Sequence, residues 1–255
     1  MTGTTTAGTT RALPGRFTAC VLYTIRVCVP PKRWVLLALP AAGAVLFGLL
    51  ANVINDPTPE GAFNSVSIGL FGLVLPFACL VVGDAVLGAE RRSGALTLTW
   101  LSPTPFATIV LARWLAGWGI AAVSLVPGMT IAALVAGVPD AIGALLLATL
   151  AGAAAYLALF VVIGVLAQRA VLWSLGVVLL GERLLGEALS GIAQLSPQWL
   201  ARSIYAGLAE DADELLRTGV PSGWGAVARL ALLTVVFLVV AERRLARLRM
   251  SGASD

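Results

Sequence analysis

The stretch Ala141–Ala167 reads AIGALLLATLAGAAAYLALFVVIGVLA and is apolar almost without interruption. A helix that crosses a bilayer needs about 20 mostly apolar residues, and this run is longer than that. The rest of the chain has the same character. Of its 255 residues 59% are hydrophobic and 12% charged, and the mean hydropathy is +0.94. Ordinary soluble domains carry about 25% charged residues. A soluble fold of this length has too little interior for so much apolar surface, so a bilayer must take the remainder.

Working outward from that run, five further segments are long and apolar enough to cross. They are Trp34–Ile54, Ala62–Leu87, Trp114–Val138, Val171–Ile192 and Gly223–Ala241. Pro76 predicts a kink in the second crossing, and Pro127 lies inside the third. The fold class expected is therefore an all-α membrane protein with six transmembrane helices. Residues 11–241 form the transmembrane domain, between a disordered tail at 1–10, rich in Thr and Gly, and a basic tail at 242–255. The first 33 residues lack the long apolar core and small-residue cleavage site of a secretory signal.

Basic residues set the orientation, because they accumulate on the cytoplasmic side of span ends. Arg11, Arg16, Arg26, Lys32 and Arg33 precede the first crossing, and Arg243, Arg244, Arg247 and Arg249 follow the last. Arg91, Arg92 and Arg113 lie between crossings two and three, and Arg169 between four and five. Thirteen of the 17 basic residues thus share one side. The opposite loops hold Asp56, Glu60, Asp140, Glu210, Asp211, Asp213 and Glu214. Two basic termini on the same side require an even number of crossings, which places a multi-pass protein in the cell membrane with both termini cytoplasmic.

Two apolar pieces do not span. Phe17–Val29, with Arg16 and Arg26 interspersed, predicts an interfacial helix that ends at Pro30-Pro31. On the outer side, Leu195-Ser196-Pro197 predicts a break followed by a short helix from Gln198 to Leu208. Gly152-Ala153-Ala154-Ala155 allows close approach of neighbouring helices, as general bundle packing.

Several chemistries are excluded. Histidine is absent, which removes His-ligated haem, His-based zinc sites and His-dependent triads. Lys32 is the single lysine and has no GxxxxGK[ST] context, so the chain has no P-loop. The three cysteines, Cys20, Cys28 and Cys79, form no CxxC pair and read as small apolar fillers. No cofactor and no nucleic-acid partner are expected.

The informative segment is the cytoplasmic loop Gly88–Arg113, GAERRSGALTLTWLSPTPFATIVLAR. It is long for a link between adjacent spans, and it carries Leu96, Leu98, Trp100, Leu101, Phe106 and Ile109. A merely solvated loop would not put these side chains in water. A short amphipathic helix from about Gly94 to Leu101, closed by Ser102-Pro103, fits, and its partner is either the membrane surface or another protein.

In this segment the order Glu90, basic residues, Gly94, Leu96, then Leu101-Ser102-Pro103, then an apolar run to Arg113, resembles the signature of the ABC type-2 exporter permeases. Thr97 stands where that family often has Glu, and Thr104-Pro105-Phe106 replaces a polar, Arg-containing turn. Six spans, a leading interfacial helix, cytoplasmic termini and a re-entrant outer region after span five are similar to this family over most of the chain. The resemblance implies a permease subunit that works as a homodimer or heterodimer in membrane lipid and couples to a separate cytoplasmic ATP-binding ATPase, which binds the ATP. The loop would be the coupling helix, with Glu90 at its entry, Gly94 and Pro103 shaping it, and Leu96, Leu98, Trp100 and Leu101 as apolar anchors. Permeases of this class move lipids, polysaccharides, drugs and peptides, and nothing in the sequence selects among them.

Charges inside a span are the second candidate site. Glu182, Arg183 and Glu187 lie in the fifth crossing, where a lone charge costs roughly 2.5–3.5 kcal/mol. Arg183 and Glu187 share a helical face and suit an ion pair. Glu182 is left over, to pair with Arg229 at the start of the sixth crossing or to sit near the outer end of a short fifth one. The patch either lines or gates a translocation path or is a structural pair. The alternative for the whole chain is a stand-alone secondary transporter or channel.

Overall fold

The computed structural model describes residues 15–29, 34–54, 64, 66–88, 104–167, 169–186, 189–209, 216 and 218–251. Among them there is no strand, and nearly every residue is helical. Four helices are long and apolar enough to cross a membrane: Val66–Val86, Phe106–Val135, Pro139–Leu166 and Gly223–Arg247. Shorter apolar helices accompany them.

In chain order, α1 is Arg16–Cys28 and α2 is Trp34–Ile54. Helix α3 contains an α-helical centre, Leu75–Gly83, between π turns at Leu70–Val74 and Asp84–Gly88. Helix α4 is Phe106–Val135 and α5 is Ile142–Leu166. Helix α6 is α-helical over Ala170–Gly176 and π-wound over Val177–Leu185. Then come α7 (Ser190–Ala193), α8 (Pro197–Leu208) and α9 (Gly223–Ser251).

Pro76 explains one of the changes in winding. Pro76 has no N–H and its ring crowds the carbonyl four residues earlier, so an α-helix there would lose a bond and clash. The π turn at Leu70–Val74 immediately precedes it and absorbs the conflict within a continuous helix. Pro40 and Pro127 sit inside α2 and α4 without ending them. The last helix runs on through the arginine cluster to Ser251 and does not stop at Ala241. Helix α4 likewise begins eight residues before Trp114, at Phe106, just after Pro105, so Arg113 lies within the helix and is only 5% exposed.

Small residues set the packing. A Cβ built on Gly48 would lie 2.6 Å from the Ala132 carbonyl oxygen, and one on Gly128 would lie 2.5 Å from Ala41 Cα. Helices α2 and α4 therefore touch backbone to backbone at both places, and since 41 faces 128 while 48 faces 132 they run parallel. On α3 and α5, Gly152 faces Leu75 and Gly83 faces Phe160, so these two are parallel as well. Trp114 and Trp118 stack at 6.3 Å and donate their indole N–H groups to the Ala154 and Leu150 carbonyls at 2.9 and 3.0 Å. That pairing runs in opposite directions, so α4 and α5 are antiparallel. A Schellman turn joins them: Val138 N–H donates to Ala133 O at 3.0 Å and Gly137 N–H to Leu134 O at 3.2 Å. Gly137 adopts φ +79°, the left-handed conformation that this turn demands and that glycine enters without a Cβ penalty.

One end of the bundle collects the starts of α2 and α4 and the ends of α3 and α5. A cleft of about 180 Å³ between Ala107, Val110 and Leu111 of α4 and Val235, Leu238, Val239 and Glu242 of α9 puts the C-terminal half of α9 there too. Helix α1 packs at the same end, against α4 and the Asp84–Gly88 turn. Arg243, Arg244 and Arg247 are exposed at this end. The flanks of the bundle are apolar, with Val53 80% and Trp224 69% exposed. Such flanks belong against lipid.

Candidate functional site

Helix α6 buries one stripe. Ala170, Ser174, Val178, Glu182 and Gly186 are all buried, while Leu172, Trp173, Leu179 and Leu180 are exposed. An α-helix turns 100° per residue, so a strict four-residue spacing drifts about 40° at each step. The π winding at Val177–Leu185 turns less per residue and keeps the stripe facing inward. Without it, Glu182 would rotate towards the lipid. π turns of this kind recur at functional positions.

Glu182 is 4% exposed and meets three donors from two other helices. The Tyr156 hydroxyl of α5 donates to Oε2. The Ser196 hydroxyl donates to Oε1 at 2.8 Å, and the Gln198 backbone N–H approaches the same oxygen at 3.4 Å. Ser196 is also the N-cap of α8, since its Oγ accepts from Trp199 N–H at 3.4 Å. Pro197 follows at the first helical position, where a missing N–H costs nothing. The start of α8 is the positive end of its dipole, a favourable neighbour for a carboxylate. Tyr156 is fully buried and held in place by Phe160, with ring centroids 5.7 Å apart.

Helix α8 is a wedge inside the bundle. Pro197, Leu200, Ala201, Ser203, Ile204, Tyr205 and Ala206 are buried. Ala201 fills the space at Gly152 of α5, and the Tyr205 ring lies 5.8 Å from Phe71 of α3. At its edge Arg202 Nη2 donates to Asn64 Oδ1 at 3.2 Å and sits 5.5 Å over the Trp199 ring. Its far end meets α9, Gly207 against the Gly223 backbone. Tyr156 lies ten residues from the end of α5, about 15 Å along the axis. The start of α8 therefore sits well inside the bundle, and its end lies where α9 begins.

Glu182 is joined by Tyr156 and Ser196, with Arg229 not among the groups that hold it, so the pairing with the sixth crossing gives way to one with α5 and α8. Arg183 lies in the π-wound stretch, its side chain outside the described residues, and Glu187 is outside them altogether. The coupling set Glu90, Gly94, Leu96, Leu98, Trp100, Leu101 and Pro103 also falls outside the described residues. No sequence spacing ties Tyr156 and Ser196 to Glu182. Their signals were present, a hydroxyl in a nearly unbroken apolar run and a Ser-Pro helix start. What the site can do is hold three chain segments at a single buried carboxyl group. The chain matches no protein-family model and no curated protein.

Proposed function

We propose that this chain is the membrane-spanning permease subunit of an ATP-driven exporter. Six helices cross the cell membrane with both termini in the cytoplasm, and ATP is hydrolysed by a separate subunit. The observation that carries the reading is the stretch between α3 and α4. Together with the first two turns of α4 it has the order of the type-2 permease signature from Glu90 to Arg113, and α4 is a 30-residue helix. That helix is about 45 Å long against a hydrocarbon core of about 30 Å, so its first turns extend past the bilayer on the side of the arginines. A partner that grips the loop therefore holds a rigid lever. A pull on it reaches α3 through Val82 and Val86 and α5 through Leu157, the three side chains around Gly117. The wedge α8 at the other end supports the same reading, because a permease needs an element that closes the outer side. Two permease subunits, identical or related, would complete the pathway.

The test is purification of the tagged chain from its native membranes in mild detergent. The expected result is a retained second polypeptide that carries GxxxxGK[ST] and hydrolyses ATP. A monodisperse chain that retains no P-loop protein would overturn the proposal and favour a stand-alone transporter or channel.

A further inference from the structure

The first N–H groups of any helix lack partners within it. In α8 these groups start inside the bundle, away from bulk water, where an unanswered backbone donor costs several kcal/mol. The chain answers them with the side chains of Ser196 and Glu182. Glu182 belongs to α6 and divides its two oxygens. Oε2 takes the hydroxyl of Tyr156 and binds α6 to α5. Oε1 takes Ser196 and Gln198 and binds α8 to α6. If α8 moves away, two bonds on one oxygen break together, and the carboxylate keeps Tyr156 as its partner. The buried carboxyl group keeps a hydrogen-bond partner throughout.

The other contacts of α8 resist such a movement less than their burial suggests. Helices in lipid gain no hydrophobic energy from burying Leu or Ile against each other, because acyl chains are equally apolar. The Arg202–Asn64 bond is at the exposed edge, where water competes. At the far end the Gly207 backbone meets the Gly223 backbone, with Ser222 and Leu208 beside the contact, and Gly223 takes φ +52°. The start of α8 is thus fastened by a polar clasp, and its end by a close backbone contact at Gly207 and Gly223.

We infer that Glu182 is the latch of a gate. Through Oε1 it holds α8 closed in the bundle, and α8 opens as a unit about its Gly207–Gly223 end when that clasp is released. The role of the open helix as an outlet rests on the exporter reading, but the latch itself does not and is tested without an ATPase.

The test is hydrogen exchange followed by mass spectrometry on the full chain in lipid nanodiscs. Glu182→Gln turns one of the two acceptor oxygens into a donor amide with little change of shape. It is expected to speed exchange of the 198–208 amides about tenfold while α3 and α5 keep their protection. Ser196→Ala removes only the gate-side hydroxyl and should speed the same segment by a smaller factor. Tyr156→Phe should leave α8 at its wild-type protection and loosen α6. Unchanged α8 exchange in both Glu182→Gln and Ser196→Ala would overturn the inference. So would an equal rise across α3, α5 and α8, which marks a structural pin and not a latch. If Glu182→Gln does not fold, Ser196→Ala carries the test alone. None of these results depends on whether a P-loop protein co-purifies.

Discussion

Gly128→Leu is expected to leave no folded bundle. A Cβ at this position would come within 2.5 Å of Ala41 Cα and 2.8 Å of its carbonyl oxygen. The obstacle is backbone, which cannot rotate away as a side chain does. To admit even one methyl group, α2 and α4 must separate along their contact, and that also opens the reciprocal approach of Gly48 to Ala132. Overpacking of a tight core costs roughly 1–3 kcal/mol when side chains can yield, and more is expected where they cannot. Helix association in lipid depends on close packing, so the loss is not recovered elsewhere. Gly119 is the control on the same helix. Nothing lies within 4 Å of a Cβ built there, and Gly119→Leu should be tolerated. Size-exclusion profile and thermal unfolding in detergent measure both variants. A monodisperse Gly128→Leu protein that melts within about 2 °C of wild type would show that the helix contact is wrong.

Leu101→Asp is expected to strip the ATPase from the purified chain. In the proposed complex Leu101 is an apolar anchor of the coupling segment. Replacing it with a carboxylate removes buried contact area and forces a charge into an apolar groove. Losses at such anchors reach 2–4 kcal/mol, and about 2.7 kcal/mol corresponds to a hundredfold weaker complex. Gly94→Pro should have a similar effect by a different route, since it alters the backbone where the coupling helix is expected to begin. Both positions lie between the end of α3 and the start of α4, so unfolding temperatures should stay at the wild-type value. Retention of the ATPase by both variants would remove the coupling role from this loop.

Much of the architecture was legible in the chain because lipid imposes simple rules. The apolar runs at Trp34–Ile54 and Ala141–Ala167 are helices with nearly those bounds, since a long apolar segment in a bilayer has few other ways to satisfy its backbone. Ser196-Pro197 marks a helix start, and the helix is there. Boundaries in water were less legible. Arg113 reads as a flanking charge, yet the helix begins before it at Phe106, because an apolar tail such as Phe106–Leu111 extends a helix wherever it finds packing partners. The arginines after Ala241 look like a tail and form instead the last turns of α9, where their good helix propensity decides.

The inner site was the least legible. Glu182 stands out as a charge in an apolar segment, but its partners are 26 residues before it and 14 after it. No local spacing links them. Nor does hydrophobic periodicity announce the π winding that turns Glu182 inward, because the four-residue stripe Ala170, Ser174, Val178, Glu182, Gly186 becomes meaningful only once the helix is known to be widened. The fifth crossing also reads as one run from Val171 to Ile192, whereas α7 forms a separate short helix at Ser190–Ala193.

The account depends on a cytoplasmic handle between the second and third crossings. The most direct measurement is the sidedness of Ser93 in intact cells. Ser93→Cys, in a chain whose Cys20, Cys28 and Cys79 are replaced by serine or alanine, is treated with a membrane-impermeant maleimide before and after the membrane is opened. The account predicts labelling only once the cytoplasm is exposed. Labelling of intact cells from outside would contradict it.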